Sequence, residues 1–391
     1  MLTYCTNIHP AESWRDTFAN VRRYVPGVKA KVSPQDPFPV GLRLSGRAAA
    51  EVNAETAASF HRWCEKHDCF VSTINGFPYG TFHHVPVKEA VYLPDWRYPE
   101  RLRYTRQLTK LLAGWLPAGM QGSISTVPIG FRDCIGSNDS SLITGHLRAA
   151  LEFLDHTAQK TGKKIVLAME PEPGCILETT LDVVRFFEEL DLPLSLKNFL
   201  AVCYDCCHQA LQSESPAHSL QLLAANDINI GHVQVSSALR LEHPDIKQLR
   251  RFCEPCYLHQ TVGRRRDGTF VRYHDLDPAI EASPQDVLEW RIHFHIPVFI
   301  EQLKDCVSTQ PFLREILPLF GTDIPLEVET YTWTVLPPDL QTATVAESIV
   351  REMEWVHTHR RRAKDRPSSA LRHPRQPQPS VLHNTAGRMP C

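Results

Sequence analysis

Four short apolar runs in the second half of the chain each end on acidic or metal-competent side chains. This limits the folds open to the chain more than any other feature. The runs span residues 165–172, ending Met169-Glu170-Pro171-Glu172; 199–205, ending on Asp205 with His208 just beyond; 230–234, carrying His232 and Gln234; and 325–329, carrying Glu327 and Glu329. A carboxylate at the end of a buried strand is costly unless it is paired or binds a cation. Several such strands, separated by helix-like segments, point to a barrel that delivers ligands to one shared mouth.

The first half supplies the missing units. Residues 2–9, 40–44, 69–75 and 121–128 read as strands. Amphipathic helices are expected near 11–23, 47–67, 100–115, 140–160, 181–189, 217–225, 310–319 and 344–357. Asn138-Asp139-Ser140-Ser141 is a helix start, as is Ser215-Pro216, with Ser as N-cap and Pro at the first helical position. Eight strand-helix units in order predict a parallel (β/α)8 TIM barrel. An open doubly wound sheet is the competing topology, but no glycine-rich phosphate loop follows the first strand.

The barrel is expected over residues 1–358, with a long insertion after the seventh strand at about 237–309. Such an insertion would emerge on the catalytic face, where long loops cap sites. It contains the basic turn Arg264-Arg265-Arg266 and the pair His293 and His295, spaced to share one face of a strand. Residues 359–391 form a basic tail rich in Pro, Gln and Ser, expected to be disordered.

Bulk properties exclude several classes. The formal net charge of -2 gives no case for nucleic acid or an anionic membrane as partner. No run approaches the ~18 apolar residues of a membrane span, and the N-terminal segment lacks the pattern of a signal peptide. A cytoplasmic protein is expected. The 12 cysteines are then read as free thiols rather than a disulfide framework. The spacing of Cys253 and Cys256 allows a structural zinc site, but no second half accompanies it.

Side chains two apart on a strand share a face. Glu170 therefore goes with Ala168 and Val166, Asp205 with Cys203, Gln234 with His232, Glu329 with Glu327, and Asn7 with His9. If these faces point inward, the polar groups converge at the C-terminal mouth. Converging carboxylates repel and protonate unless a cation sits among them. Oxygen-rich sites suit Mg²⁺ or Mn²⁺, and histidine ligands admit Mn²⁺, Co²⁺ or Zn²⁺. Rim salt bridges are the structural alternative.

These motifs resemble those of xylose-isomerase-like TIM barrels. Glu170-Pro171-Glu172-Pro173 resembles their fifth-strand motif, in which the first Glu binds metal. Asp205-Cys206-Cys207-His208 resembles the D-x-x-H motif of the related sugar epimerases, with Asp as ligand and His near the substrate. The segment from Val233 to Arg240 resembles their seventh strand, with Arg240 at a substrate-contact position. Val328-Glu329-Thr330-Tyr331 resembles the eighth, whose Glu is both ligand and proton-transfer base. Two positions depart from the pattern: Gln234 stands where a metal-binding His is usual, and Glu172 where the isomerases carry a Lys. Tyr4 to Pro10, Gly41 to Ser45, Asn75 to Gly80 and Arg291 to Pro297 resemble the EboE family of metabolite traffic proteins, a branch of the same superfamily. That resemblance implies a role in moving a secondary-metabolite precursor, with operon partner proteins.

The sequence therefore assigns Glu170, Asp205, Gln234 and Glu329 as ligands of a divalent metal (Mn, Mg, Co or Zn), with Glu170 and Glu329 as catalytic acids or bases. Asn7, His9, Arg43, Asn75, Glu172, His208, His232, Arg240, His293 and His295 are candidate contacts to a small metabolite or sugar. Phe77, Tyr79, Tyr331 and Trp333 are candidate pocket walls. The leading function is a metal-dependent sugar isomerase or epimerase-like enzyme in secondary-metabolite processing or traffic. A non-catalytic barrel that binds and hands on a metabolite is the alternative, and a metal-dependent phosphoester hydrolase is a further one.

Overall fold

The computed structural model describes residues 1–361. Eight parallel strands form the barrel: β1 (Leu2–Tyr4), β2 (Phe38–Arg43), β3 (Cys69–Asn75), β4 (Gly122–Thr126), β5 (Ile165–Met169), β6 (Leu200–Asp205), β7 (Ile230–Val235) and an eighth, Leu326–Val328. The eighth strand pairs with both β7 and β1, so the sheet curls back on its start. A parallel bridge from Cys5 to Gly41 joins β1 to β2. The Thr3 hydroxyl reinforces this seam, donating to Pro39 O (2.6 Å) and accepting from Gly41 N–H (3.2 Å). Gly41 is required there, because a Cβ would lie 2.3 Å from the Glu327 carboxylate and 2.6 Å from Tyr4 O. The parallel barrel expected from the strand-helix alternation is the fold observed.

Helices pack outside the strands and bury one continuous apolar core against them. Local signals account for several boundaries. Ser13 caps helix Trp14–Val32 by accepting from Asp16 N–H, and Thr179 with Asp182 forms a capping box at Thr180–Glu189. The single helix expected over 47–67 is two, Gly46–Glu51 and Ala54–Lys66. Asn53 interrupts it as a new N-cap, its side chain accepting from Thr56 N–H (2.9 Å). The first strand stops at Tyr4, and Thr6–Ile8 forms a 3₁₀ turn. The last helix, Val345–Arg361, includes residues 359–361; the rest of the expected tail lies outside the described residues.

The barrel interior is small and polar. Val166, Ala168, Ala201 and Cys203 form a compact cluster, above and beside which lie Thr73, Ser123, Ser125, His232, Gln234 and Glu327, all buried.

The insertion has its own architecture. It contributes β8 (Ser237–Leu241), β9 (Thr261–Arg265), β10 (Phe270–Tyr273), β11 (Val287–Ile296) and β12 (Val307–Ser308), an antiparallel sheet of order β10-β9-β11-β8-β12. The eighth barrel strand, β13 (Leu326–Val328), follows it. What the sequence presents as a capping loop is a five-stranded sheet whose strand β11 brings His293 and His295 together with barrel residues.

Candidate metal centre

The strand ends deliver the acids as the alternation predicts. The parallel ladder continues one step past β5 and β13: Glu170 N–H donates to Thr126 O and Glu329 N–H to Val235 O, both at 3.2 Å. Asp205 ends β6 and caps helix Cys206–Leu211, its Oδ1 accepting from His208 N–H (2.9 Å) and the Ser236 hydroxyl (2.8 Å). Ligand oxygens of Glu170, Asp205 and Glu329 come within 4.8 Å of one another, and all three residues are buried.

Their hydrogen bonding is incomplete in a directed way. Glu329 Oε1 accepts from the side-chain amides of Asn7 (2.8 Å) and Asn75 (2.9 Å). Glu170 Oε2 and Asp205 Oδ2 are buried with no hydrogen-bond partner among the described residues. Buried carboxylate oxygens are rarely left so. Burial, then the neighbouring acids, pushes Glu170 and Glu329 well above the ordinary carboxylate range. Asp205 is held below it: burial opposes ionisation, but the neighbouring imidazoles and its two hydrogen bonds prevail. An oxygen-rich cluster of this kind fits a divalent cation, which would complete the orphaned oxygens and remove the mutual repulsion.

Glu327, two residues before Glu329, has a different fate. Its oxygens accept from Thr73 Oγ1 (2.5 Å) and Gln234 Nε2 (3.2 Å) inside the barrel. Gln234 is thus tied to Glu327 by its nitrogen, while its buried Oε1 has no partner and is an available oxygen ligand. His232 lies in the interior, its Nδ1 2.7 Å from Ser123 Oγ and its Nε2 3.3 Å from Cys203 Sγ. Burial lowers its pKa to about 3, so it is a neutral packing group with both ring nitrogens engaged.

A narrow pocket opens on this centre, lined by Asn7, Asn75, Glu170, Glu172, His208, His293 and Glu329 with the apolar walls Phe77, Phe82, Val87, Val91, Leu258 and Tyr331. That mixture of polar groups and apolar walls suits a small polar ligand. Seven of the sequence candidates therefore meet there. His295 reaches the same cluster from β11, its Nδ1 2.8 Å from Glu329 O and 3.8 Å from Glu329 Oε2.

Besides His232, three candidate contacts go elsewhere. His9 does not share the inward face with Asn7, because the 3₁₀ turn breaks the strand period. It stacks on Tyr24 with ring centroids 3.9 Å apart and contacts Tyr4 OH (3.3 Å). Arg43 is a buried fastener, donating to Ala11 O (2.7 Å) and Gly80 O (2.8 Å) beside Glu12. Arg240 sits on β8 and pairs with Glu289 (2.7 Å) and Glu242 (2.5 Å). Of the expected walls, Phe77 and Tyr331 line the cavity. Tyr79 packs edge-on against Tyr104, and Trp333 is buried in the core.

Gln260 was not legible in the sequence. Its Nε2 donates to Glu172 Oε1 (3.0 Å) and Pro173 O (3.1 Å), and its Oε1 lies 2.6 Å from His293 Nδ1. It lies just before β9, and no local pattern marks it. The eleven cysteines among the described residues are all free, and the Cys256 thiol donates to Val85 O (3.1 Å).

No family model matches this chain, and no curated protein does. Solved structures do. A D-tagatose 3-epimerase-like protein superposes with a TM-score of 0.50 at 12% identity, covering 93% of this chain and 98% of that one. An L-ribulose 3-epimerase gives 0.51 at 11%, covering 95% and 99%. A xylose isomerase-like TIM barrel protein from Mycobacterium smegmatis, in complex with magnesium, gives 0.54 at 10%, covering 93% and 97%. The chain thus has the xylose-isomerase-like TIM-barrel fold, with a cluster of buried acids at the mouth that fits a divalent metal. No helix among the described residues is long and apolar enough to cross a membrane.

Proposed function

We propose that the protein is a divalent-metal-dependent sugar isomerase or epimerase-like enzyme. The observation that carries this is the convergence of Glu170, Asp205 and Glu329 at a narrow pocket, with two buried carboxylate oxygens unpartnered. The fold shared with the epimerases named above supports the substrate class.

Glu170, Asp205 and Glu329 would hold the metal, with Gln234 Oε1 as a further neutral oxygen. A bound divalent ion supplies Lewis-acid polarisation of a carbonyl or hydroxyl pair. The chain's own groups then handle the proton. Asn7 and Asn75 fix Glu329 by Oε1, which leaves Oε2 to take or return a proton at the carbon next to the polarised oxygen. Glu170 Oε2 and Asp205 Oδ2 are the buried carboxylate oxygens of the cluster without a partner. Glu172, His208 and His293 offer polar contacts to sugar hydroxyls, and the aromatic walls exclude water from the reacting carbon.

We place this activity in the processing or traffic of a secondary-metabolite precursor, in the cytoplasm and beside operon partners. The EboE-like segments support that setting. Metal analysis of chelator-free protein, followed by a screen of ketoses, aldoses and their phosphates, tests the reading. Near-stoichiometric metal and interconversion of a sugar pair are expected, and full turnover in both Glu170→Ala and Glu329→Ala would overturn it. A second reading, a barrel that binds and hands on its metabolite unchanged, is favoured by the bond from Gln234 to Glu327. It predicts tight binding of a ligand recovered intact after long incubation.

A further inference from the structure

The acid that follows β13 is held by a chain of contacts that starts in the inserted segment. Glu329 Oε1 accepts from Asn7 Nδ2 (2.8 Å). Asn7 lines the pocket, and its Oδ1 is buried with no partner among the described residues. The Asn7 backbone oxygen lies 2.6 Å from His83 Nε2, and His83 Nδ1 lies 2.7 Å from the Tyr257 hydroxyl. All four residues are buried. They come from four segments far apart in sequence. Asn7 sits in the turn after β1, His83 between β3 and helix Pro99–Trp115, Tyr257 between β8 and β9, and Glu329 just after β13.

The direction of each hydrogen bond follows from the acceptors. A carbonyl only accepts, so His83 Nε2 carries the hydrogen and donates to Asn7 O. Burial lowers the His83 pKa to about 3, so the ring is neutral and its bare Nδ1 takes the Tyr257 hydroxyl hydrogen. His83 can hold Asn7 only in this tautomer, and Tyr257 is the group that keeps it there. Both ends of the link are pinned. Around His83, Phe82 N–H donates to Glu12 Oε1 (2.8 Å), Val87 N–H to Cys256 O (2.7 Å) and Lys88 Nζ to Asp275 Oδ2 (2.6 Å). Glu254 sets the turn that carries Tyr257, accepting from the N–H groups of Cys256 and Tyr257, both at 2.7 Å. His84 and Lys88 take left-handed backbone (φ 62° and 40°), which is uncommon for residues with side chains. The 3₁₀ turn Thr6–Ile8 has no side-chain cap of its own, so the His83 bond anchors it from outside.

We propose that His83, oriented by Tyr257, is a positioning residue that holds the turn at Asn7 and thereby sets the Asn7 amide against Glu329. The inserted segment thus acts on a barrel acid through two intermediates, His83 and Asn7. Residues that orient a metal ligand from behind tune its affinity in this way. The effect on affinity rests on the metal site proposed above, and the link itself rests on geometry alone.

Calorimetric titration of chelator-stripped full-length protein with Mn²⁺ tests it. His83→Phe keeps an aromatic ring but no donor. It should weaken Mn²⁺ binding about tenfold, the low end for such partners, because Asn75 still holds Glu329 Oε1. His83→Gln, whose amide nitrogen can replace the Nε2 donor, should restore most of the affinity. In an Asn7→Ala background, His83→Phe should weaken binding no further. Unchanged affinity in His83→Phe, losses that add in the double variant, or a His83→Gln as weak as His83→Phe would reduce His83 to ordinary packing and overturn the proposal. Neutron diffraction of the wild type needs no variant to fold. Hydrogen on His83 Nε2 and none on Nδ1 is expected, and the reverse would overturn it. If the wild type binds no Mn²⁺, the metal reading falls and a crystal structure of His83→Phe decides the link. Asn7 displaced from Glu329 Oε1 supports it, and Asn7 unmoved overturns it.

Discussion

The parallel barrel and the inserted antiparallel sheet contribute to one pocket in opposite ways. The barrel presents Glu170, Asp205 and Glu329, each at the end of an apolar strand, in positions fixed by strand period and register. The inserted sheet presents His293 and His295 near the C-terminal end of β11, the longest strand among the described residues, across a register irregularity. The barrel supplies negative charge with unsatisfied oxygens. The sheet supplies neutral nitrogens whose orientation Gln260 and backbone carbonyls dictate. Ligands built on a repeating scaffold can be read from their period, whereas ligands brought by an insertion depend on how it docks.

The sharpest break in that contrast is removal of a barrel acid. Glu170→Ala or Glu329→Ala should drop bound metal from near-stoichiometric to a trace and lower turnover of a confirmed substrate by at least ~100-fold. Mass-spectrometric metal content and initial rates check both.

Next in size is the joint between the two regions. Glu352 accepts from Val298 N–H (3.1 Å) at the end of the inserted sheet's last long strand and from the Thr330 hydroxyl (2.7 Å) after β13. Burial raises its pKa to about 7, from an ordinary value of 4.5. A raised folded value means its contribution is complete below the unfolded pKa and is lost as pH rises through about 7. Glu352→Gln should therefore match wild type below about pH 4 and exceed it by ~3 kcal/mol above about pH 8. Urea unfolding at the two pH values measures this, and equal pH profiles would refute it.

Two smaller substitutions separate fasteners from ligands. Arg43→Ala should destabilise the fold by ~1 kcal/mol, since it leaves the carbonyls of Ala11 and Gly80 and the Glu12 carboxylate without their buried donor. Metal content should stay at the wild-type level; a loss of metal would return Arg43 to the site. Arg240→Ala, on a partly exposed ion pair, should cost less than about 1 kcal/mol and leave ligand affinity unchanged by calorimetry.

Particular residues show how much the sequence disclosed. That Asn7 and Glu329 both face the mouth was legible, but the hydrogen bond between them was not. Neither was the place of His9, because the turn at Thr6 breaks the two-residue period and rotates it onto Tyr24. Arg240 lies in a segment that looks like barrel strand but leaves the barrel at Ser237 to start the second sheet, which carries it to Glu289. Gln260 carries no sequence signal, since its role exists only through what three distant segments place around it.

The sequence by itself determined the barrel, its eight strands and the acids at their ends, because strand period and buried charge are local properties. The tertiary structure alone decided that Glu327 is satisfied while Glu170 and Asp205 are not, and that His293 meets both His208 and His295. Those outcomes depend on which donors reach each atom across the barrel and from the inserted sheet, at sequence separations no local pattern spans.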